Sequence, residues 1–541
     1  MSAIRQHTRP PPSDILMSVL AASAVVVASV AALVAPPGGS PALYYLGIDA
    51  GTQSTKAVVY NADTRQVVGR GAASYGLIES DVVGRAEQLP SAWVDAMWSA
   101  CREALAQAAS QCAGGMPKLA RSVQGIGVSG QQHGLVALDG SFGIIRPAKL
   151  WCDTESAPEA AELSHHLEVP IVASFTASKL LWLKRQEPES WAKLEHVALP
   201  HDYLNYVLTG ELVMEGSDAS GTGLLDPTTR TWDASAAALV DEGLLQKLPP
   251  LVAPGELAGR LQPSAAKELA LPAGIPVSAG GGDNPMSALG CGCATIGRVA
   301  VSLGTSGTVF GKAPAAARDP SGTVCGFLDA TGGGLPLICT LNCAQVPEEV
   351  RAAYGLSRDE IAALALAEPA GCDGLSLLPF FAGERTPNWP HASGTLAGLR
   401  AGHLARPGLL YRAAVEGATF ALRAGYEAMH THGLPEALDE VRLVGGGSKS
   451  ALWRQTVADA FNARVACPTE PESAALGAAL QAAAVDAGAG ADIGGWIAAQ
   501  HDPPVSVVVD PDPHRVAALE EAYAAYTARA EALFGEPRQR L

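Results

Sequence analysis

"LGIDAGTQSTKAVVY", Leu46–Tyr60, runs from a β-type stretch through a Gly-Thr turn into a second β-type stretch, and "VAVSLGTSGTVFG", Val299–Gly311, repeats the pattern. Gly51-Thr52-Gln53-Ser54-Thr55 is matched by Gly304-Thr305-Ser306-Gly307-Thr308. One Gly-Thr turn is only a turn. Two at matching places about 250 residues apart mark a duplicated unit, and in each hairpin backbone N–H groups and hydroxyls can converge on phosphate oxygens.

The neighbouring sequence extends the unit. "YYLGIDAGTQSTKAVVYNADTRQVVGRGAASY" holds three short β-type runs, an antiparallel meander. "LPSAWVDAMWSACREALAQAA" then places Trp93, Met97, Ala100 and Ala104 on one helical face after Pro90. "VQGIGVSG" is a buried strand closed by glycine. Strands alternating with helices give an α/β class.

The whole chain has 541 residues, enough for two domains. Apolar residues make up 48% and charged residues 17%, with 58 glycines and 38 prolines, the balance of a globular chain rich in turns. The formal charge is −17 and no Lys/Arg stripe occurs, which argues against a nucleic-acid partner. Ten scattered cysteines without a CxxC pair point to reduced thiols rather than a disulfide framework or zinc.

Residues 1–43 stand apart. Ile15–Ala35 is a charge-free run of 21 residues, long enough to span a bilayer but dominated by Ala, Ser and Val. It admits three readings: a retained anchor, a targeting segment, or a stretch from an upstream start codon.

Two further glycine clusters open helices. "SAGGGDNPMSALGCG", Ser278–Gly292, puts three glycines before Asp283, expected as an N-cap with bare backbone giving a ligand clearance. "VRLVGGGSKSALWRQTVADAFN", Val441–Asn462, has three glycines, Ser448 or Ser450 as N-cap, and a helix with Trp453, Val457, Ala460 and Phe461 on its apolar face. A flat ring or a phosphate can lie against such a backbone.

Together these elements resemble the FGGY family of carbohydrate kinases. The resemblance runs from about Tyr44 to about Ala484. It implies two actin/hexokinase/Hsp70-like (ribonuclease H-like) domains, 44–290 and 291–490, with ATP in the cleft between them and a tail with a helix at 491–541. "GIDAGTQSTKAVVYN", "SLGTSGTVF" and "VGGGSKSALWRQTVADAF" resemble the two phosphate motifs and the adenosine motif. "GIGVSGQQHGLVALD", "AKLWCDTESAPE", "FTASKLLWLKRQEPE" and "FFAGERTP" resemble segments of the members that phosphorylate ketopentoses.

The resemblance implies a role for each site residue. Asp283 is the general base for the ketose's terminal hydroxyl, and Asp49 binds Mg²⁺. Gly51, Thr52, Gln53, Ser54, Lys56, Gly304, Thr305 and Ser306 hold phosphates, while Gly445, Gly446, Gly447 and Ser448 line the adenosine. Gln131, Gln132, His133 and Asn284 contact sugar hydroxyls, with Trp151, Asp153 and Glu87 as further sugar-site candidates. "LNCAQVPEEV", Leu341–Val350, receives no role.

The expected reaction is ATP-dependent phosphorylation of D-xylulose to D-xylulose 5-phosphate. Those members often carry Met at the position of Gln132, a departure that leaves hexose versus pentose, and the exact epimer, partly open. The alternatives are another sugar or polyol substrate, or a nucleotide-switched binding protein on the same fold. A second copy of the chain is left open as a partner. Use of ATP points to the cytoplasm, with a plastid or a membrane anchored through residues 15–35 as alternatives.

Overall fold

The repeated stretch folds as a hairpin in both halves of a computed structural model, which describes residues 42–167, 169–317 and 319–535. The apolar run Ile15–Ala35 lies outside the described residues. Among the described residues no helix is long and apolar enough to cross a membrane.

In the first half, Tyr44–Ala50 (β1) pairs antiparallel with Ser54–Asn61 (β2), and Gln66–Ser74 (β3) joins the outer edge of β2. Pro90–Gln111 (α1) opens on proline at its first turn and buries Trp93, Met97, Ala100 and Ala104. It leads to Val123–Gly130 (β4), which pairs parallel to β1. Leu257–Arg260 (β5) and Pro276–Ser278 (β6) complete the order β5-β6-β4-β1-β2-β3, with Gly281–Gly282 (β7) also beside β4. Asp283–Gly290 (α2) follows directly.

The second half repeats the plan with Arg298–Leu303 (β8), Gly307–Gly311 (β9), Cys325–Leu328 (β10) and Gly334–Thr340 (β11). Pro407–Thr431 (α3), Glu440–Val444 (β12), Ala451–Phe461 (α4) and Arg464–Pro468 (β13) come next. Ser473–Asp486 (α5), Val505–Val509 (β14) and Pro513–Phe534 (α6) end the described chain. The order is β10-β11-β9-β8-β12-β13-β14. In both sheets an antiparallel meander presents its first strand to a parallel neighbour, β1 to β4 and β8 to β12.

Residues past 490, expected as a tail, contribute to the second core. β14 pairs with β13, and α6 inserts Leu519, Tyr523, Tyr526 and Ala530 among the buried residues of α3 and α4. An apolar α6 face needs such a partner to leave water.

The helix α5 is buried on every side from Ser473 to Ala484 and packs on the first sheet, although it follows the strands of the second in sequence. Main chains meet closely there. A Cβ on Gly47 would fall 1.9 Å from Ala475 O, and one on Gly127 2.0 Å from Ala478 O. Helices α2 and α5 touch similarly, Gly290 against Ser473 O and Gly477 against Met286 O, each at 1.9 Å from a built Cβ.

Candidate active site

Three parallel strands end at one level. Ser129 of β4 is in register with Asp49 of β1 and Gly281 of β7, and Gly130 with Ala50 and Gly282. The hairpin 51–54, the segment Gln131–His133 and the pair Asp283–Asn284 are therefore delivered side by side at the carboxyl ends of the sheet, where open α/β sheets take ligands. In the second sheet, Ser302 is level with Val444, so the second hairpin and the GGG turn emerge together.

Asp283 is the first residue of α2, with Gly282 rather than Asp283 at the cap. Its Oδ1 accepts from Asn284 N at 2.8 Å and Asn284 Nδ2 at 3.0 Å. Burial pushes its carboxyl up to about 8, and the charges of Asp49 and Asp218 add to the rise. Asp49 accepts from Ser129 Oγ at 2.9 Å and is itself raised, chiefly by burial. Asp49 thus adds its charge to the burial that disfavours an ionised Asp283.

The glycines before Asp283 do a different job from the one expected. A Cβ on Gly282 would sit 2.6 Å from Gln132 Cγ, and one on Gly281 2.7 Å from Met286 Cε and 2.9 Å from Ser217 Oγ. Gly280 takes φ +82° against Val128 O. The space is filled by the protein's own atoms, so Gly282 seats Gln132 and Gly280 and Gly281 admit Val128 O, Met286 and Ser217 rather than clear room for a ligand.

Gln132 Oε1 accepts from Asn284 Nδ2 at 2.8 Å, joining the strand-end segment to the Asp283 turn. Gln131 Nε2 donates to Gln88 Oε1 at 3.0 Å. Gln131 Oε1 and Gln132 Nε2 are left buried without a protein partner. His133 has φ +63°, and its ring packs between Phe175 and Phe327, centroids 5.5 and 5.2 Å away. Burial, with the charges of Lys179 and Arg385, holds this imidazole well below its usual range and so neutral.

In the first hairpin Gly51 N donates to Ser54 O at 3.1 Å, and Gln53 is exposed. Thr52 is held from two sides: Gln88 Nε2 donates to its carbonyl at 2.7 Å and Trp151 Nε1 to its Oγ1 at 2.9 Å. Trp151, a sugar-site candidate, thus meets the phosphate hairpin. Lys56 lies 2.7 Å from Glu472, which precedes α5, tying the first hairpin to the second half.

Glu87 and Asp153 belong to a buried ion cluster. Arg146 reaches Glu87 at 2.6 Å, while Asp153 Oδ2 accepts from Lys149 Nζ at 3.0 Å and Ala86 N at 2.9 Å. Together with Glu155 these acids have a geometry that could hold an ion, but Lys149 and Arg85 already neutralise them. The residue of this segment that faces the site is Gln88, which the pattern of charges gave no reason to choose.

In the second hairpin Gly304 N donates to Ser306 O at 3.1 Å, with Thr305 exposed. The segment that had received no role supports it: Cys343 N donates to Thr305 O at 3.1 Å and Ala344 N to Gly304 O at 3.0 Å. Glu384 in turn holds that segment, accepting from Leu341 N at 2.7 Å and Asn342 Nδ2 at 3.0 Å. Neither link has a local sequence signal, because the partners lie about 40 residues apart and meet only in the fold.

At the GGG turn, Gly445 and Gly447 press on Leu303, while a Cβ on Gly446 would meet nothing within 4 Å. Ser448 Oγ donates to Gly445 O at 2.7 Å, and Ser450 is the cap of α4. Behind Phe175 and Phe327 lies a cavity of about 480 Å³, with Ile171, Ser220, Val324 and Arg385 in its walls. Neither Asp283 nor His133 is among its lining residues.

Comparison with known proteins matches residues 44–290 to the N-terminal domain, and residues 299–485 to the C-terminal domain, of the FGGY family of carbohydrate kinases. The chain belongs to the FGGY family. A xylulose kinase from Haemophilus influenzae is 38% identical over 451 residues, 81% of this chain and 90% of that protein. One from Streptomyces coelicolor is 41% identical over 457 residues, 81% of this chain and 87% of that one. Among solved structures, a xyloylose kinase from Brucella ovis superposes with a TM-score of 0.82 at 33% identity, covering 91% of this FGGY chain and 99% of that chain. The xylulose kinase of Bifidobacterium adolescentis gives 0.74 at 32% identity, covering 91% and 100%. Membership makes this FGGY chain a sugar kinase of the two-domain actin/hexokinase-like fold, with a sugar and ATP as its small-molecule substrates.

Proposed function

We propose that the chain transfers the γ-phosphoryl group of ATP to the terminal hydroxyl of a ketopentose, D-xylulose, giving D-xylulose 5-phosphate. The observation that carries this reading is the pair Asp283–Asn284 hydrogen-bonded to Gln132 at the strand ends. It sets a carboxylate beside amides able both to donate to and to accept from a polyol. The unpartnered Gln131 Oε1 and Gln132 Nε2 are the groups that sugar hydroxyls would satisfy.

Phosphoryl transfer asks for positioning and charge neutralisation more than for reactive side chains. Asp283 accepts the proton of the attacking hydroxyl. Gln131, Gln132, Asn284 and neutral His133 orient the sugar so that one hydroxyl faces that carboxylate. Thr52 and Thr305, with the N–H groups of their hairpins, hold phosphate oxygens from the two halves, and the open face at Gly446 and Ser448 takes the adenosine. The donor set fits Mg²⁺, since Asp49 is a hard oxygen ligand whose charge, which raises Asp283, a cation would offset. When bound, the ion neutralises phosphate charge. Asp49 is the residue to hold it, directly or through water.

The test is an ADP-release assay of the purified protein across ketopentoses, aldoses and polyols. D-Xylulose should give the highest kcat/KM. ATP turnover indifferent to sugar, or a clear preference for another substrate, would overturn the assignment.

A further inference from the structure

We infer that Asp218 and Lys179 clamp the main chain of His133 from opposite sides, and that this clamp, rather than any contact of their own with substrate, sets the affinity for the sugar. The inference rests on the reading of His133 as a sugar contact.

His133 occupies left-handed backbone space, φ +63°, which residues with side chains seldom adopt. Something must hold it there. Its N–H donates to Asp218 Oδ1 at 3.4 Å, and its carbonyl accepts from Lys179 Nζ at 2.9 Å and Thr176 Oγ1 at 3.2 Å. The ring is also confined. Its Nδ1 lies 3.8 Å from Asp218 Oδ1, and a Cβ on Gly221 would fall 1.8 Å from Cε1, so that face admits only bare backbone.

The clamp is anchored in turn. Asp218 Oδ2 lies 2.8 Å from His201 Nδ1, whose Nε2 lies 3.0 Å from Asp202 Oδ1. Asp218, His201, Asp202 and Lys179 are all fully buried. Its two carboxylate neighbours raise His201 well above its usual range against the pull of burial, so it stands as the counter-charge to Asp218. Burial pulls Lys179 down to about 7. A buried ionic cluster of this kind is a poor way to gain stability, and here it converges on one strained residue at the sugar end of the site. Asp218 and Lys179 are positioning residues, acting through His133.

Asp218→Asn keeps the shape and removes the charge; Lys179→Met keeps the length and removes the donors. Each should raise KM for D-xylulose, or for whichever sugar the wild type turns over, by about tenfold or more while KM for ATP moves less than about twofold. The decisive measurement is a double-mutant cycle with His133→Ala. If the clamp acts through His133, adding Asp218→Asn to His133→Ala changes KM little further. Multiplying effects, or a parallel rise in KM for ATP, would overturn the clamp. If Asp218→Asn does not fold by near-UV circular dichroism, Lys179→Met carries the same cycle. Failure of both to fold assigns the cluster to stability and also overturns it. Wild-type turnover is measured first: its absence defeats the proposed function, whereas an active wild type with multiplying effects defeats the clamp alone.

Discussion

Gln132 lies against Gly282 so closely that a Cβ there would be 2.6 Å from Gln132 Cγ. The amide that binds Asn284 is thus seated by a missing side chain on the next strand. Gly282→Ala should displace Gln132, costing about 1–3 kcal/mol of stability through overpacking. It should also raise KM for the sugar more than KM for ATP. Thermal unfolding and steady-state kinetics on both substrates check this, and unchanged sugar kinetics would refute the seating role.

Asp283→Ala should retain nucleotide binding and lose about 10²–10⁴-fold in kcat, the range expected when a general base is removed. Calorimetric titration with a nonhydrolysable ATP analogue separates the two effects. Near-normal turnover would end the assignment of the base.

The pH dependence of the free enzyme carries its own signature. Asp283 rises from an ordinary carboxyl to about 8, so it is protonated below that value and becomes a base only as pH increases through it. The acidic limb of kcat/KM should therefore lie in the neutral-to-alkaline range, not near pH 4. A limb near pH 4 would contradict that elevation.

The same elevation has a cost for folding. A carboxyl favoured in its protonated form by the fold gives stability that is complete below the unfolded-state value and is lost as pH rises through about 8. Asp283→Asn removes that penalty. Its melting temperature should exceed that of the wild type at pH 9 and converge with it near pH 4, a comparison that scanning calorimetry makes directly.

Trp151 donates to Thr52 Oγ1, on the phosphate hairpin. Trp151→Phe should weaken ATP, raising its KM about three- to tenfold, the equivalent of one net hydrogen bond. The sugar KM should hold. The reverse pattern would return Trp151 to the sugar side.

The duplicated hairpins were readable because Gly-Thr turns flanked by β-type runs are local, and α1 because Trp93, Met97, Ala100 and Ala104 share a helical face. Sequence also set Asp283, Asn284 and Gln132 apart as candidates, and the fold brings these three into hydrogen-bond contact. It missed what depends on distant partners. Glu384 bracing Asn342, and Cys343 and Ala344 bracing the second hairpin, leave no periodic trace. Glu87 and Asp153 are sugar-site candidates through the family resemblance, yet Arg146 and Lys149 claim them, and charge pairing across segments is invisible to spacing. The residues past 490 looked like an appendage because β14 and α6 acquire meaning only against β13 and the core between α3 and α4.

The close approach of α5 to Gly47, Gly127 and α2 restricts how the halves can move. With backbone atoms meeting along this seam, α5 has no slack layer on which to slide over the first sheet or over α2. Shear needs side chains that can re-pack between two surfaces. A seam of bare main chain leaves rotation about itself, so any closing of the two hairpins on a nucleotide is a swing about α2 and α5, with the Lys56–Glu472 pair at the start of α5 as a latch.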